Sequence, residues 1–141
     1  EINDCVFPDW TFQPADFVAA FGFHTALVVG PPRAPRSRDA EALAAFRLRL
    51  SKNDQLVEEG AGKNALRSPA LCLAELAGAL SRRARQAHED GPACLGTTEP
   101  LTAGDVVSTG TLTTPQPIAP GETWRAEVDG LDLPPLMLDL V

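Results

Sequence analysis

The segment FRLRLSKNDQLVEEG, residues 46 to 60, limits the possible folds more than any other part of the chain. Apolar and polar side chains alternate from Phe46 to Ser51, and this period of two predicts a strand with one buried face and one solvent face. The residues KND at 52 to 54 have turn chemistry, so QLVEEG is expected to return as the second strand of a hairpin. The segment therefore predicts antiparallel β-structure in the middle of the chain.

A long helix is predicted after this hairpin. Ser68 can accept a hydrogen bond from an amide of the first turn, and Pro69 suits a first-turn position that needs no donor. Arginines at 82, 83 and 85 lie near the negative end of the helix dipole. The apolar residues that recur at the three-and-four spacing of one buried stripe are Leu73, Leu76, Ala77 and Leu80. The pattern predicts a helix over about 69–87.

The remaining segments are predicted as short elements between prolines and glycines. Pro14 and the early Asp16 indicate a short helix near 14–21, and the β-branched run FHTALVVG predicts a strand over 23–30. A long connection covers 88–100, and the strand-like runs after it are 105–112, 123–128 and 136–141. Helices beside mostly antiparallel strands make an α+β fold, a β-rich roll or sandwich with one long helix.

Length and charge narrow the possible functions. The chain has 141 residues and a formal net charge of −7, so one domain with its own core is expected. The negative charge argues against nucleic acid and against an anionic membrane surface as partners. The three cysteines form no C-x-x-C pair and no apolar run is long enough to span a membrane, so a reducing cytoplasm is expected.

The chain lacks the common catalytic motifs, because the residues that they require are not found at the required spacing. The GAGK segment at 60–63 lacks the first glycine and the Ser or Thr of a phosphate loop. With His24 and His88 as the only histidines, a Ser-His-Asp triad has few ways to form, and no Cys and His spacing indicates zinc or iron. His24 is expected to be a hydrogen-bonded structural residue rather than a general base, and His88 a partner of the helix dipole. The arginines of PPRAPRSR, residues 31–38, indicate a solvated connection in preference to an anion site.

Four blocks, taken in order, carry a resemblance to a known family. They are EINDCVFPDW, ADFVAAFGFHTALVVG, LVEEGAGKNALRSPALCLAELAGAL and AGDVVSTGTLTTPQPIAPGETWRAEVDGL. The chain resembles the C-terminal portion of the fumarylacetoacetate hydrolase superfamily, in the branch of the 2-keto-4-pentenoate hydratases and 4-oxalocrotonate decarboxylases. The resemblance implies one domain over residues 1–141 with the fold of that superfamily, acting on a small 2-oxo acid.

The resemblance also implies substrate-binding positions. In relatives a T-G-T or S-G-S turn approaches the 2-oxo acid, and Thr109, Gly110 and Thr111 hold that position here. Glycine lets a backbone come close to a ligand, and flanking hydroxyls can hydrogen-bond a carboxylate. The open alternative is a β-turn whose threonines only favour strand. Asp16 and Gly62 match two further substrate-binding positions of the family.

A metal site is implied in the same way. Relatives hold Mg²⁺ or Mn²⁺ with three carboxylates, two from an E-x-E motif and one from a downstream E-I-x-D segment, and Glu1 matches the downstream ligand. The cation would chelate the substrate and polarise its carbonyl, so that an enol can form. No residue here corresponds to the E-x-E pair, since Glu58-Glu59 lacks the spacing and follows Glu1, so a longer parent chain is expected. Glu1 can also be read as part of a frayed terminus.

Departures from the family pattern leave three functions open. A common lysine is Thr11 here, an A-D-N segment is replaced by residues 19–21, and Glu59 replaces the threonine of T-G-A-G. The first function is a hydratase or decarboxylase lyase completed outside these residues, and the second is a non-catalytic scaffold or partner subunit. The third is metal-free binding of a biosynthetic intermediate, with Thr109, Thr111, Arg67 and Lys63 as the contacts. An oligomer, most simply a homodimer, is expected because apolar runs such as ALVV at 26–29 would otherwise stay exposed.

Overall fold

Helices and antiparallel strands combine in a mixed α+β fold, as the sequence predicts. The structure is a computed structural model that describes residues 1–90 and 99–141. These residues form two compact units, unit 1 (Glu1–Pro32) and unit 2 (Arg33–Val141). The elements in chain order are β1 (Ile2–Asn3), α1 (Pro14–Ala19), β2 (His24–Ala26), α2 (Asp39–Ala45), β3 (Arg47–Lys52), β4 (Gln55–Ala61), α3 (Pro69–Asp90), β5 (Thr123–Asp129) and β6 (Leu136–Asp139).

Unit 1 is organised around one aromatic side chain. Phe23 is only 3% exposed. The rings around it, with their centroid distances from Phe23, are Phe12 at 4.7 Å, Phe17 at 5.3 Å, Phe7 at 5.8 Å and Trp10 at 6.3 Å. Edge-to-face and tilted contacts of this kind add to the free energy of burying the rings. An aromatic cluster therefore supplies most of the packing in a unit with little regular structure.

The helix predicted near 14–21 is confirmed but ends earlier, at Ala19. A 3₁₀ turn follows over Phe21–Phe23, in which all three residues have left-handed φ angles of 52°, 68° and 60°. The strand predicted over 23–30 is wrong beyond Ala26, because β2 pairs only with the two-residue β1. Without a longer partner the β-branched run after Ala26 forms no ladder, and Val29 is 65% exposed.

The hairpin predicted from the alternating segment is confirmed in unit 2. β3 pairs with β4 in antiparallel register from Arg47↔Ala61 to Lys52↔Gln55. The two residues between the strands, Asn53 and Asp54, both have positive φ angles, 49° and 64°. Two left-handed central residues define the type I′ turn that matches the twist of the flanking strands.

The sheet of unit 2 has the strand order β4-β3-β5-β6. The strands predicted at 123–128 and 136–141 are confirmed as β5 and β6, but β6 ends earlier, at Asp139. The strand predicted over 105–112 is wrong, because these residues have no regular secondary structure. A segment rich in small hydroxyl residues needs a partner edge to become a strand, and none of the described strands pairs with it.

Cross-strand pairing assigns side chains to the two faces of this sheet. Leu50 lies opposite both Glu58 and Ala126, so these three residues share one face, which also carries Trp124. We call it the inner face, because Trp124 on it is 7% exposed. The opposite face carries charged side chains such as Arg49 and Glu127, whose ion pair spans 3.6 Å. A β-bulge interrupts the hairpin between Leu50 and Ser51 and leaves Val57 as the extra residue.

Two helices complete unit 2. α2 was not predicted, and it begins after Arg38 with Asp39 and Glu41 in its first turn. The helix predicted over 69–87 is confirmed and extends to Asp90, and the Ser68 hydroxyl accepts a hydrogen bond from the Ala70 amide at 3.3 Å as expected. Neither helix, nor any other described one, is long and apolar enough to cross a membrane.

The buried stripe predicted on α3 is wrong for two of its members. Leu73 and Leu76 are 42% and 37% exposed, and the burial of Ala77 and Leu80 is only partial. The helix contacts α2 within unit 2. The prediction for the connection over 88–100 falls mostly outside the described residues, as do Cys94 and the side chain of His88.

Candidate functional site

The TGT turn, Thr109 to Thr111, lies in the irregular segment of unit 2. Gly110 has a φ of 102° and no atom within 4 Å of the position that a Cβ would take. Glycine is therefore needed there for the backbone conformation and leaves open space beside the chain. The Thr111 hydroxyl donates to the carbonyl of Thr113 at 2.7 Å, so its oxygen can still accept a hydrogen bond from a ligand.

An open groove of about 460 Å³ lies beside this turn. Its lining residues come from β4, from the 3₁₀ turn after it and from the segment that continues the TGT turn. They are Glu58, Glu59, Asn64, Thr111, Leu112, Thr113, Thr114 and Pro115. Of the predicted TGT turn, Thr111 lines the groove, whereas Thr109 and Gly110 are not among its lining residues. Six of the eight lining residues carry a hydroxyl, amide or carboxylate group.

Two contacts fasten the segment after the TGT turn to β4. A Cβ on Gly60 would lie 2.5 Å from the carbonyl oxygen of Leu112, so only glycine permits this approach. The Asn64 side-chain amide donates to the same carbonyl at 2.8 Å. The groove wall is thus positioned by a missing side chain at residue 60 and by one hydrogen bond from residue 64.

Glu58 is the charged residue of the groove lining that lies on the inner face of the sheet. It lies opposite Leu50 in the register of the hairpin, and its side chain is partly buried. The Gln116 amide is 3.4 Å from Glu58 Oε2, a long and weak hydrogen bond. Glu58 therefore keeps most of its capacity to accept hydrogen bonds.

The predicted residue Gly62 occupies a packed position. A Cβ there would collide with the carbonyl oxygen of Leu43, and it would lie 2.8 Å from ring atoms of Phe46. The Gly62 amide donates to the Phe46 carbonyl at 3.0 Å, and the residue is buried. Close packing at the junction of α2 and β4 therefore accounts for the glycine at this position. Substrate binding by Gly62 stays a prediction.

The predicted metal ligand Glu1 lies in unit 1 next to a histidine. His24 Nδ1 is 2.9 Å from Glu1 Oε1, because the pairing of β1 with β2 brings the two residues together. With its amide oriented to satisfy its neighbours, Asn3 also donates to Glu1 Oε1 at 3.3 Å. The expectation that His24 is hydrogen-bonded is confirmed, and its partner is the carboxylate that the family resemblance singles out.

Asp16, the other predicted residue of unit 1, has a local role. Its carboxylate accepts a hydrogen bond from the backbone amide of Gln13 at 2.9 Å, and the Gln13 side chain caps the same helix end in return. This reciprocal arrangement is a capping box, which stabilises the start of α1. Contact of Asp16 with a substrate stays a prediction.

The described residues do not form a complete metal site. A hard divalent cation takes six or more oxygen ligands. Among residues 1–90 and 99–141, no group of three or more His, Cys, Asp or Glu side chains is placed to hold a metal ion. Glu1 is one possible ligand, and further carboxylates would have to come from outside the described residues.

Two of the three arginines of the 31–38 segment, Arg33 and Arg36, form ion pairs with carboxylates of unit 2. Arg33 forms a two-pronged hydrogen bond with Asp39 at 2.8 and 2.9 Å, and Arg36 pairs with Asp132. The hydrogen bond from Arg33, followed by that from the Arg36 amide, lowers the pKa of Asp39 to about 2. This geometry supports the prediction that residues 31–38 form a connecting segment and not an anion-binding site.

Sequence reasoning missed three groups of the candidate site. Asn64 takes the position at which a phosphate loop would carry Ser or Thr, Glu58 lacks the spacing of an E-x-E motif, and no sequence pattern indicates Gln116. Their roles depend on contacts across 48 and 58 positions of the chain. No local sequence pattern predicts such contacts.

The chain is similar to a known protein family over most of its length. The profile described as fumarylacetoacetate hydrolase C-terminal matches residues 2–133, which is nearly the whole chain and includes both units. The chain belongs to the fumarylacetoacetate hydrolase family. Its β4 groove and its TGT turn are therefore features of a member of this family.

Two solved structures of this family are similar to the chain. One is 4-oxalocrotonate decarboxylase from Pseudomonas putida G7 in complex with magnesium and adipate, at 27% identity and a TM-score of 0.75, covering 99% of this chain and 46% of that one. The other is 4-oxalocrotonate decarboxylase from Pseudomonas putida G7 in complex with calcium and acetate, at 28% identity and a TM-score of 0.54, covering 71% and 32%. The chain thus spans about half the length of the first of these relatives.

Proposed function

We propose that the chain is part of a lyase that acts on a small 2-oxo acid with the help of a divalent cation, as a hydratase or a decarboxylase. The observation that carries the proposal is the open groove beside the TGT turn in a member of the fumarylacetoacetate hydrolase family. The volume of this groove is within the range of small-molecule sites, although the groove is more open than most of them.

The binding groups are assigned as follows. Thr109 and Thr111 offer hydroxyls, and the backbone at Gly110 is open to a ligand, so this turn would hold the carboxylate and oxo oxygens of the substrate. Similarity to decarboxylase structures in complex with magnesium or calcium and with small carboxylates supports this class of ligand. Glu1 would contribute one oxygen to Mg²⁺ or Mn²⁺, and His24 would keep that carboxylate in place by its hydrogen bond.

An assembly is part of the proposal. Leu71, Leu73 and Leu76 of α3 are 42%, 42% and 37% exposed, which is unusual for a helix with a regular apolar stripe. We infer that another surface covers them, most simply in a homodimer or higher oligomer. The described cysteines, Cys5 and Cys72, are free, which fits a reducing cytoplasm.

Calorimetric titration of oxalate, a mimic of the enolate of a 2-oxo acid, tests the proposal. With Mn²⁺ present, the full-length protein should bind oxalate, and Glu1→Gln should weaken that binding by about tenfold, a typical loss for a carboxylate ligand or its partner. Asp54→Asn, which removes one negative charge from the exposed hairpin turn, should change nothing.

Two outcomes would replace the proposal. Equal binding of oxalate in EDTA would favour metal-free binding of an intermediate, with Lys63 and Arg67 as the next residues to replace. Absence of binding under both conditions, together with a tight complex with another chain, would favour a scaffold subunit.

A further inference from the structure

The position of Glu58 on the inner face depends on the β-bulge at Val57. If the pairing set by the hairpin turn continued without interruption, Val57 would lie opposite Leu50 and Glu58 opposite Arg49. The bulge shifts the register by one residue, so that Glu58 lies opposite Leu50 and Glu59 opposite Arg49. Because a shift of one residue exchanges the two faces, the bulge places a carboxylate in an apolar row where a valine would fit.

Packing does not account for this arrangement. Val57 is left 39% exposed, while Glu58 is more buried than the apolar residues before it on the same strand. A carboxylate on an apolar face loses hydration, and the ion pairs of the charged face are out of its reach. Bulges are often found beside active sites, where they turn a side chain toward a ligand. The groove, which Glu58 lines, supplies such a reason.

The charges around the groove restrict its ligands. Two of the residues that line it, Glu58 and Glu59, are acidic, and none of the described residues in its wall is Lys, Arg or His. A ligand carboxylate placed beside Glu58 would face a like charge in a partly desolvated position, and none of the residues that line the groove is a cation that could offset it. A neutral ligand end would avoid this repulsion. A ligand end that donates hydrogen bonds would find an acceptor in the Glu58 carboxylate.

We propose that Glu58 determines substrate specificity by recognising the end of the substrate remote from the 2-oxo group. It selects 2-oxo monocarboxylic acids, whose remote end is neutral or donates hydrogen bonds, and rejects 2-oxo dicarboxylic acids. Of the two proposed activities this leaves the hydratase, because loss of a remote carboxylate through an enol needs a dicarboxylic substrate. This inference rests on the proposed function, in which the TGT turn holds the 2-oxo acid end. Thr111 belongs to both the turn and the groove, so a substrate held there would extend along the wall toward Glu58.

Two ligands of equal carbon number test the assignment. 2-Oxohexanoate and 2-oxoadipate differ only in the terminal carboxylate of the latter. In calorimetry with Mg²⁺, the full-length wild-type protein should bind 2-oxohexanoate about tenfold more tightly, a ratio that corresponds to about 1.4 kcal/mol. Glu58→Gln, which keeps the shape of the side chain, should reduce this ratio to about two or less. The ratio does not depend on what fraction of a variant is folded.

Matched controls separate Glu58 from the general charge of the groove. Glu59→Gln removes the same charge from the next residue, on the other face, and should change the ratio by less than half as much as Glu58→Gln. Asp54→Asn in the exposed hairpin turn should leave it at the wild-type value. An equal effect of Glu58→Gln and Glu59→Gln would overturn the role assigned to Glu58.

The outcomes also separate this inference from the proposed function. Equal binding of both ligands by the wild type, or an unchanged ratio in Glu58→Gln, would overturn the inference while leaving the function in place. Binding of neither ligand by the wild type would mean that the proposed function is wrong, and the inference would fall with it.

Discussion

Different interactions stabilise unit 1 and unit 2 internally. In unit 1 the packing centres on Phe23 and the rings around it, with several residues in left-handed conformations between short elements. In unit 2 a four-stranded sheet fixes the register of the groove wall by pairs of backbone hydrogen bonds. Glu1, the possible metal ligand, belongs to the first kind of structure, and the groove belongs to the second. We therefore expect metal binding to depend on aromatic packing and ligand selection to depend on strand register.

The largest effect is expected from Phe23→Ala, which would break the aromatic cluster. Truncating a buried phenylalanine costs about 3–5 kcal/mol of unfolding free energy. Trp10 lies 6.3 Å from Phe23 and Trp124 lies in the sheet, so fluorine NMR of 5-fluorotryptophan protein reports on both units. The Trp10 resonance should move toward its unfolded position while the Trp124 resonance stays. Phe21→Ala, at a side chain that is 88% exposed, is the control and should cost about 0.5 kcal/mol or less.

Equal losses in Phe21→Ala and Phe23→Ala would contradict the central place given to Phe23.

Gly60→Ala should have the next largest effect and should act on unit 2. The added methyl group would meet the Leu112 carbonyl at 2.5 Å, so the groove wall must shift, at a cost of about 1–3 kcal/mol for overpacking. Urea unfolding would measure this cost, and calorimetry should show weaker oxalate binding. Gly78→Ala in α3 meets only the flexible end of Arg82, and it should stabilise the protein by about 0.5–1 kcal/mol through helix propensity. Unchanged stability in Gly60→Ala would mean that the wall is not held by this contact.

A smaller effect is expected from acid, through Asp39. Hydrogen bonds from Arg33 and from the Arg36 amide lower the pKa of Asp39 in the folded state from 3.8 to about 2. A lowered folded-state pKa means that the unfolded state binds the proton more readily, so the contribution is present above about pH 4 and is lost as the pH falls to about 2. Urea midpoints measured from pH 5 to pH 2 should fall less steeply for Asp39→Asn than for the wild type. Parallel curves would show that the ion pair contributes nothing.

The smallest effect should come from Asp54→Gly in the hairpin turn. Asp54 has a φ of 64°, and a type I′ turn favours glycine at its second central position. We expect a gain of about 0.5 kcal/mol, because an L-residue in this region is mildly strained. Leu56→Gly, at an extended position in β4, should instead be destabilising. A loss of stability in both variants would argue against the type I′ turn.

The sequence predicts structure well where the determinants are local. The hairpin, the turn at Asn53 and the start of α3 at Ser68 follow from alternation, turn chemistry and capping within a few residues. The bulge at Val57 does not, because the turn and the far end of the hairpin favour different registers and only the complete sheet decides between them. The strand predicted over 105–112 failed for a related reason, since strand propensity has no effect without a partner edge.

The candidate site was predicted in part. The family resemblance led to Glu1 and the TGT turn, and the structure places Thr111 in a groove wall and Glu1 beside His24. The contacts that Gly60 and Asn64 make with Leu112 join residues far apart in the chain, so they could be found only in the folded structure.

Native mass spectrometry of the protein with Mn²⁺ and oxalate tests the central claim most directly. The account predicts that a chain, or a complex of chains, takes up the cation and oxalate together, with a loss of both in Glu1→Gln. An intact protein or oligomer that takes up neither would contradict it, and the TGT turn would then have to be explained by structure alone or by a different ligand.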